Sequence, residues 1–256
     1  MLSDSDFLRY QRQISLPEIG EKGQERLGQS SVLIIGCGGL GSAAGMYLAA
    51  AGIGQMVISD DDIVEASNLQ RQVIYRTSDI DVPKVEAMAA QIQAINPQLK
   101  VRKLNKRLDE EQLQLEVMMA DVVLDCSDNL TTRHLVNRAC HRQATPLISG
   151  SAIGWQGQFV VFDFAHSKEG CYKCLVPDEV LASPSKCSDS GIVGPVVGTI
   201  GNYQALAALQ LLALDKQGLQ PNELHLFNGM NLAWQTLTVR PDSECSVCAQ
   251  REQVSL

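Results

Sequence analysis

The stretch Ser30–Ser42, SSVLIIGCGGLGS, decides how the chain folds. Val32 to Ile35 is a short, apolar, β-branched run, which reads as a buried parallel strand. Gly36, Gly38 and Gly41 then spell G-x-G-x-x-G, with Gly39 as an extra glycine. Glycines at this spacing let a strand turn sharply into a helix. They also let the backbone approach a phosphate at the helix N-terminus, where free N–H groups point outward. The helix predicted from Ser42 to Ala51 is small or apolar on nearly every side, so it packs inside the molecule, and Gly52 ends it. The glycines alone leave the ligand open: NAD, another nucleotide, or a tight turn with no ligand at all.

Strand and helix alternate outward from this stretch. Gln55 to Ser59 is a second strand. Pro83 opens a helix, where its missing N–H costs nothing, and Val85, Met88, Ile92 and Ile95 mark one face of it. Val101 to Leu104 and Asp121 to Asp125 read as strands, a helix follows from Leu130, and Pro146 to Ser149 is a further strand. Alternation of this kind gives an α/β fold, a Rossmann-like, mostly parallel sheet with helices on both faces. Beyond residue 150 the pattern changes. Gly157–Phe164 alternates as a strand, Asn202–Leu214 is helical, and Leu224–Phe227 pairs with Trp234–Val239 across Asn228-Gly229. These predict antiparallel strands that continue the sheet. The expected organisation is one domain over 1–256, with N-terminal helices in 1–28, a nucleotide-binding half in 30–150 and a second half in 151–256.

The chain has 256 residues, 45% of them hydrophobic and 20% charged, which suits a globular fold with a sizeable core. Its net charge of −8 and the lack of a basic stripe exclude nucleic-acid binding through the whole surface. The N-terminus, MLSDSDFLRYQRQ, has no apolar run of the secretory kind, and the strongest apolar stretch, Ala205–Leu214, is too short for a bilayer. A cytoplasmic protein without a membrane partner is expected. There its eight cysteines are metal ligands, catalytic groups or buried thiols rather than disulfides.

The ends of the strands carry the candidate chemistry. Asp60, Asp61 and Asp62 follow the second strand, about 20 residues after the glycines, where a carboxylate binds ribose hydroxyls. A solvated acidic loop would look the same. SNLQRQ, Ser67–Gln72, brings an amide and Arg71 beside this loop. Lys84 of DVPK stands at a helix start, and Asp128 and Asn129 of DCSDN follow a parallel strand. All lie where ligands bind in such sheets. Arg71 and Lys84 are each ordinary surface charges if taken singly. Gathered on one rim, they suit a triphosphate, and Asp128 suits Mg²⁺, which takes few carboxylates plus phosphate oxygens.

Two C-x-x-C pairs, Cys171/Cys174 and Cys245/Cys248, offer the four thiolates of a closed tetrahedral Zn²⁺ site. A redox reading lacks a thioredoxin-like context. Cys37, Cys126 and Cys140 lie in core elements and read as small buried hydrophobes. Cys187 lies in ASPSKCSDSGIVG, a polar loop, with Lys186 beside it to favour thiolate. An incidental loop cysteine is the plainer alternative.

GCGGLGS, DDDIVEASNLQRQ, DVPK, DCSDN and the cysteine pairs together resemble the ThiF/MoeB family, bacterial relatives of the ubiquitin-activating enzymes. The resemblance runs from RYQRQ near the start to CSVC near the end. It implies that the glycine loop binds ATP, and that the reaction is adenylation of the C-terminal Gly-Gly carboxylate of a ubiquitin-like sulfur carrier protein. It implies a homodimer in which Arg12 reaches the ATP of the other subunit, although as sequence Arg12 is a helix-surface charge. Gly36, Gly38, Gly39, Gly41, Asp60, Asp62, Ser67, Asn68, Leu69, Gln70, Arg71, Lys84, Asp128 and Asn129 correspond to the nucleotide site. Cys187 corresponds to a loop cysteine that links to the carrier or carries persulfide. A cysteine desulfurase or persulfide carrier is the expected sulfur donor, and the half in 151–256 is the one expected to bind the carrier and hold zinc. SGIVGPVVGTIGN resembles the branch serving thiamine thiazole synthesis; the branch serving molybdopterin synthesis is the alternative. An NAD-dependent oxidoreductase and a silent zinc-stapled interaction module are the rivals from other classes.

Overall fold

The computed structural model describes residues 2–166, 169–177, 191–214 and 218–249. Its frame is an eight-stranded sheet of order β3-β2-β1-β4-β5-β6-β7-β8. The strands are β1 (Ser31–Ile35), β2 (Gln55–Ser59), β3 (Lys100–Leu104), β4 (Val122–Asp125), β5 (Leu147–Ile153), β6 (Gln156–Phe162), β7 (Glu223–Asn228) and β8 (Ala233–Thr238). The first five in the sheet are parallel, and β6, β7 and β8 continue it antiparallel. The half after residue 150 therefore extends the parallel half edge to edge.

Period-two alternation splits the core. Val32 and Ile34 of β1, Met56 and Ile58 of β2, Val122 and Leu124 of β4, and Phe159 and Val161 of β6 face one cluster. Leu33, Ile35, Val57, Val123, Val160 and Phe162 face the other. A strand buried on both sides reads as a continuous apolar run, which is why SVLII has no polar face. The first cluster is closed by α3 (Gly39–Ala51), α4 (Lys84–Ile95) and α8 (Gly194–Ala213). Residues of α5 (Glu110–Met118), α6 (Leu130–Gln143) and the short α7 (Tyr172–Leu175) close the second. The N-terminal helices α1 (Asp4–Ile14) and α2 (Gly20–Gln29) pack beside α3, with Gln13 and Gln24 both donating to the carbonyl of Ala51 at 3.0 Å.

Several expected boundaries move. The glycine-loop helix starts at Gly39, three residues before Ser42, so the extra Gly39 and the motif's Gly41 sit inside its first turn. The late helix starts at Gly194 rather than Asn202 and has 20 residues. Its glycine-rich opening resembles a loop in sequence, but Pro195 in the first turn is well suited to a helix start. At that length α8 is apolar and long enough to cross a membrane, contrary to the shorter segment expected from sequence, though half of it is buried inside the molecule. The β7–β8 connection runs over Gly229–Leu232, because Asn228 pairs directly with Ala233. Helix α5 went unread. Its buried residues are Leu113 and Val117, while Leu115, Met118 and Met119 are exposed and blur the helical period.

Helix α3 starts so close to β1 that a Cβ added at Gly41 would lie 1.9 Å from the carbonyl oxygen of Gly36. Neither partner can yield, since one is the strand's own end. Gly41→Ala is expected to cost about 3 kcal/mol of stability, the upper end for overpacking. Urea unfolding measures this, and an unchanged midpoint would mean that the turn can open freely.

Candidate active site

Sheet order reverses direction at β1, which has β2 on one side and β4 on the other. Ligands bind outside the carboxyl ends of strands at such a point. A cavity of about 480 Å³ lies there, lined by Gly36, Gly38, Gly39, Asp60, Asp62, Asn68, Arg71, Lys84, Asp128 and Asn129. Ten of the fourteen residues placed at the nucleotide by sequence thus line one cavity. Gly41, Ser67, Leu69 and Gln70 do not line it. Gly41 acts from below, as the close contact between α3 and β1, and Leu69 packs against the core.

The turn is held rigidly from three sides. Gly36 has φ +95°, the left-handed region that favours glycine, and its N–H donates to Ser59 at 2.9 Å. The Cys37 N–H donates to the Asp60 carboxylate at 2.7 Å, and the Asp62 N–H donates to the same carboxylate at 2.9 Å. Burial pushes the Asp60 carboxyl up, against the pull of Lys84 and these two N–H groups. The Tyr75 hydroxyl donates to the carbonyl of Cys37 at 2.7 Å, tying the turn to the segment that precedes α4.

Lys84 opens α4 with Pro83 as its cap. Its side chain is 7% exposed and its ammonium lies 2.8 Å from Asp62, whose side chain is 65% exposed. Arg71 donates to the carbonyl of Ser67 at 3.0 Å and stands on the cavity wall. Asn129 caps α6, its side chain accepting from Thr132 N–H at 2.9 Å, and leaves Asp128 exposed on the rim. These side chains present an arginine, a lysine and a carboxyl group around a turn of backbone N–H groups, the needs of a polyphosphate with a hard cation.

Sequence reasoning overlooked several cavity residues. Lys106 and Arg107 line it just beyond β3, with Arg107 at 3.6 Å from Asp61. Their position after a parallel strand's carboxyl end was the available signal. Arg133 and Tyr172 also line it. The Arg133 guanidinium is buried against Asp125 at 3.4 Å and donates to Ser149 at 3.1 Å and to the Gly150 carbonyl at 2.8 Å. An arginine in the first turn of a helix carries no such signal in sequence.

Arg12 does not line the cavity. It is exposed in the last turn of α1, near the C-terminal ends of α3 and α4, where Tyr10 meets Asn96 at 3.1 Å. The cavity lies at the other end of α3, about 18 Å away along its 13 residues.

The four cysteines converge. Their sulfurs lie within 4.8 Å of one another, with Cys171 and Cys245 at 3.7 Å and Cys174 and Cys248 at 3.4 Å. Four thiolates at Zn–S bonds of about 2.3 Å stand roughly 3.8 Å apart, so the arrangement fits Zn²⁺. Burial pushes the Cys171 thiol up to about 12. The seven described cysteines are free thiols, and burial raises Cys37 and Cys140 well above the ordinary range, as expected of inert core positions. Cys187 lies outside the described residues.

A family model, the ThiF family, matches residues 10–247. The chain belongs to the ThiF family. It is 46% identical over 250 residues to the sulfur carrier protein ThiS adenylyltransferase of Escherichia coli K12, covering 96% of this chain and 97% of that one. It is 37% identical over 252 residues to the molybdopterin-synthase adenylyltransferase of Salmonella typhimurium, covering 97% and 99%. Among solved structures, E. coli MccB with ATP shares the fold at TM-score 0.77 and 24% identity, over 88% of this chain and 68% of that one.

Proposed function

We propose that this ThiF-family enzyme adenylates the C-terminal Gly-Gly carboxylate of a ubiquitin-like sulfur carrier protein with ATP. The observation that carries the reading is the joining of the glycine turn, Arg71, Lys84 and Asp128 on one cavity at the sheet's switch point. The carrier carboxylate attacks the α-phosphorus. An acyl O–P bond forms, the bond to pyrophosphate breaks, and pyrophosphate leaves with the electron pair. No side chain acts as base, because the carboxylate is already ionised at neutral pH. Arg71 and Lys84 orient the phosphates and neutralise the charge that moves onto the leaving group. Asp128 is the residue to hold Mg²⁺, which supplies further charge neutralisation when bound. Asp60 takes the ribose hydroxyls, and Asn68, Asn129 and the neighbouring backbone complete the nucleotide's surroundings.

The carrier we propose is ThiS-like, serving thiamine thiazole synthesis. The relative named for ThiS is 46% identical, against 37% for the one named for molybdopterin synthase. A MoaD-like carrier is the second reading, since both relatives cover nearly the whole chain. The acyl-adenylate then awaits sulfur from a persulfide-bearing donor, with Cys187 the residue proposed on sequence to receive it, in a reducing cytoplasmic setting.

Exchange of labelled pyrophosphate into ATP in the presence of carrier tests the reaction. Lys84→Ala and Arg71→Ala are each expected to slow exchange at least tenfold, about 1.4 kcal/mol in barrier, with the fold intact. Normal exchange in both would remove the phosphates from this wall.

Arg12 cannot reach its own cavity across the length of α3, which supports a homodimer with shared sites. Mixing Arg12→Ala with Lys84→Ala chains is expected to restore part of the lost activity, because some mixed dimers hold one intact site. An active enzyme that sediments strictly as a monomer rejects this.

The sulfur spacing supports one Zn²⁺ per chain, tying the segment at Cys171 to that at Cys245. Cys171→Ser or Cys248→Ser is expected to lose zinc by elemental analysis and to melt at lower temperature. Full retention of metal would overturn the four-thiolate assignment.

A further inference from the structure

We infer, on the four-thiolate zinc reading above, that Asn137 is a positioning residue that couples the cysteine cluster to the cavity. Through it, zinc held at the thiolates and the placement of Tyr172 on the cavity wall depend on each other.

Asn137 lies in α6, four residues after Arg133, and is 0% exposed. Residues at that spacing share one face of a helix. Both ends of its amide engage the same short segment. The nitrogen donates to the Cys171 sulfur at 3.5 Å, and the oxygen accepts from the Tyr172 N–H at 2.9 Å. Cys171 is the N-cap residue of α7, a position where a side-chain oxygen ordinarily satisfies one of the first free N–H groups. Its side chain makes no such bond; the sulfur stands in the cluster instead, 3.7 Å from Cys245. Asn137 supplies the missing acceptor from another helix. The cap of α7 and a ligand of the metal site are therefore one residue, and one amide serves both.

Tyr172 is held at its other end by the same helix face. The Arg133 guanidinium, which can only donate, bonds to the Tyr172 hydroxyl. Arg133 also donates to Ser149 at 3.1 Å and to the Gly150 carbonyl at 2.8 Å, both on β5. A run of bonds thus leads from the Cys171 sulfur through Asn137 and Tyr172 to Arg133, and the last two line the cavity. Groups that hydrogen-bond a metal ligand from outside typically change metal affinity 10–100-fold. Linkage makes the effect mutual: whatever fixes Tyr172 tightens the metal site, and the metal fixes Tyr172. Packing alone does not ask for an amide here, since leucine fills a similar volume without two polar atoms to satisfy.

Two variants separate the bonds. Asn137→Asp keeps the acceptor for Tyr172 N–H and removes the donor to sulfur; Asn137→Leu removes both. Zinc affinity of the full chain is measured by competition with a chromogenic chelator. The five tyrosines are labelled as 3-fluorotyrosine and followed by fluorine NMR with and without zinc, Tyr172 being assigned from Tyr172→Phe. We expect the zinc Kd to rise at least tenfold in both variants. In wild type, removing zinc is expected to shift the Tyr172 resonance while Tyr10 and Tyr75, buried elsewhere, stay in place. In zinc-loaded Asn137→Leu the Tyr172 resonance is expected to move toward its zinc-free position. Zinc affinity within twofold of wild type in either variant overturns the inference, as does a Tyr172 resonance indifferent to zinc in wild type. Tyr10 and Tyr75 moving together with Tyr172 also overturns it, because zinc is then a staple of the whole fold. So does failure of both variants to fold with zinc present, which gives the amide a purely structural role. A wild type that binds no zinc is a separate outcome. It defeats the zinc reading itself, and this inference with it.

Discussion

The contact of Gly41 with the carbonyl of Gly36 is the constraint from which the rest of the site follows. Two backbones touch there with no side chain between them, so the start of α3 is pressed onto the end of β1. The free N–H groups of a helix N-terminus then open at the sheet's switch point rather than into solvent. Everything that binds the turn is set by that placement. Cys37 N–H reaches Asp60 at the end of β2, and Tyr75 reaches the carbonyl of Cys37. The small residues of α3 extend the same logic to α8, whose own buried alanines, Ala205 and Ala208, share a cluster with Ala44 and Leu48. Close backbone packing along this layer turns a loose motif into a fixed cradle.

Magnitudes separate the ion pairs that can open for a ligand from those that cannot. Lys84 is buried but Asp62 is largely exposed, so the pair can give up Asp62 without stranding a second buried charge. A phosphate can take the place of that partner, and until then the carboxylate holds the ammonium at the cavity wall. Arg133 and Asp125 are both buried, and removing one member of such a pair costs about 3–5 kcal/mol. Their pairing frames the cavity floor. Asp60 lies between these cases. Burial raises its carboxyl, so the folded chain holds that proton more tightly than the unfolded one does. Its contribution to stability therefore falls as pH climbs from the unfolded pKa through the raised folded one. A carboxylate kept ionised at such a place works against folding, which fits a group kept for a ligand rather than for the fold.

Much of this was legible in the sequence because it is local. Val32–Ile35, the glycines and Gly52 report a buried strand, a turn and a helix end without knowledge of any partner. Asp60, Lys84 and Asp128 were legible because parallel sheets put ligands at one end of their strands. Other features depend on what meets what. Helix α5 hid because Leu115 and Met118 are exposed, and the start of α8 hid because Gly194 and Gly201 serve close packing rather than a loop. Arg133 reads as a surface residue of α6 until β5 brings Ser149 and Gly150 against it. Gln72 is buried on the cavity wall while Gln70, two residues earlier, is exposed, and spacing alone does not separate them.

The cysteine cluster is not a remote staple, because its first ligand is the neighbour of a cavity residue. Cys171 precedes Tyr172, which lines the cavity, with the Arg133 guanidinium 6.0 Å from its ring. Asn137 of α6 bridges both functions. Its amide donates to the Cys171 sulfur at 3.5 Å, and its carbonyl accepts from Tyr172 N–H at 2.9 Å. A side chain that reads the sulfur on one side and positions the aromatic wall on the other couples the two sites through a few bonds. The thiol cluster draws Cys245, from near the end of the described chain, to within 3.7 Å of Cys171 and so fixes the strand-to-tail crossing from which Tyr172 hangs. Loosening the cluster would first free the short helix Tyr172–Leu175 that forms the aromatic side of the cavity, and only then the sheet, whose buried core lies beneath it.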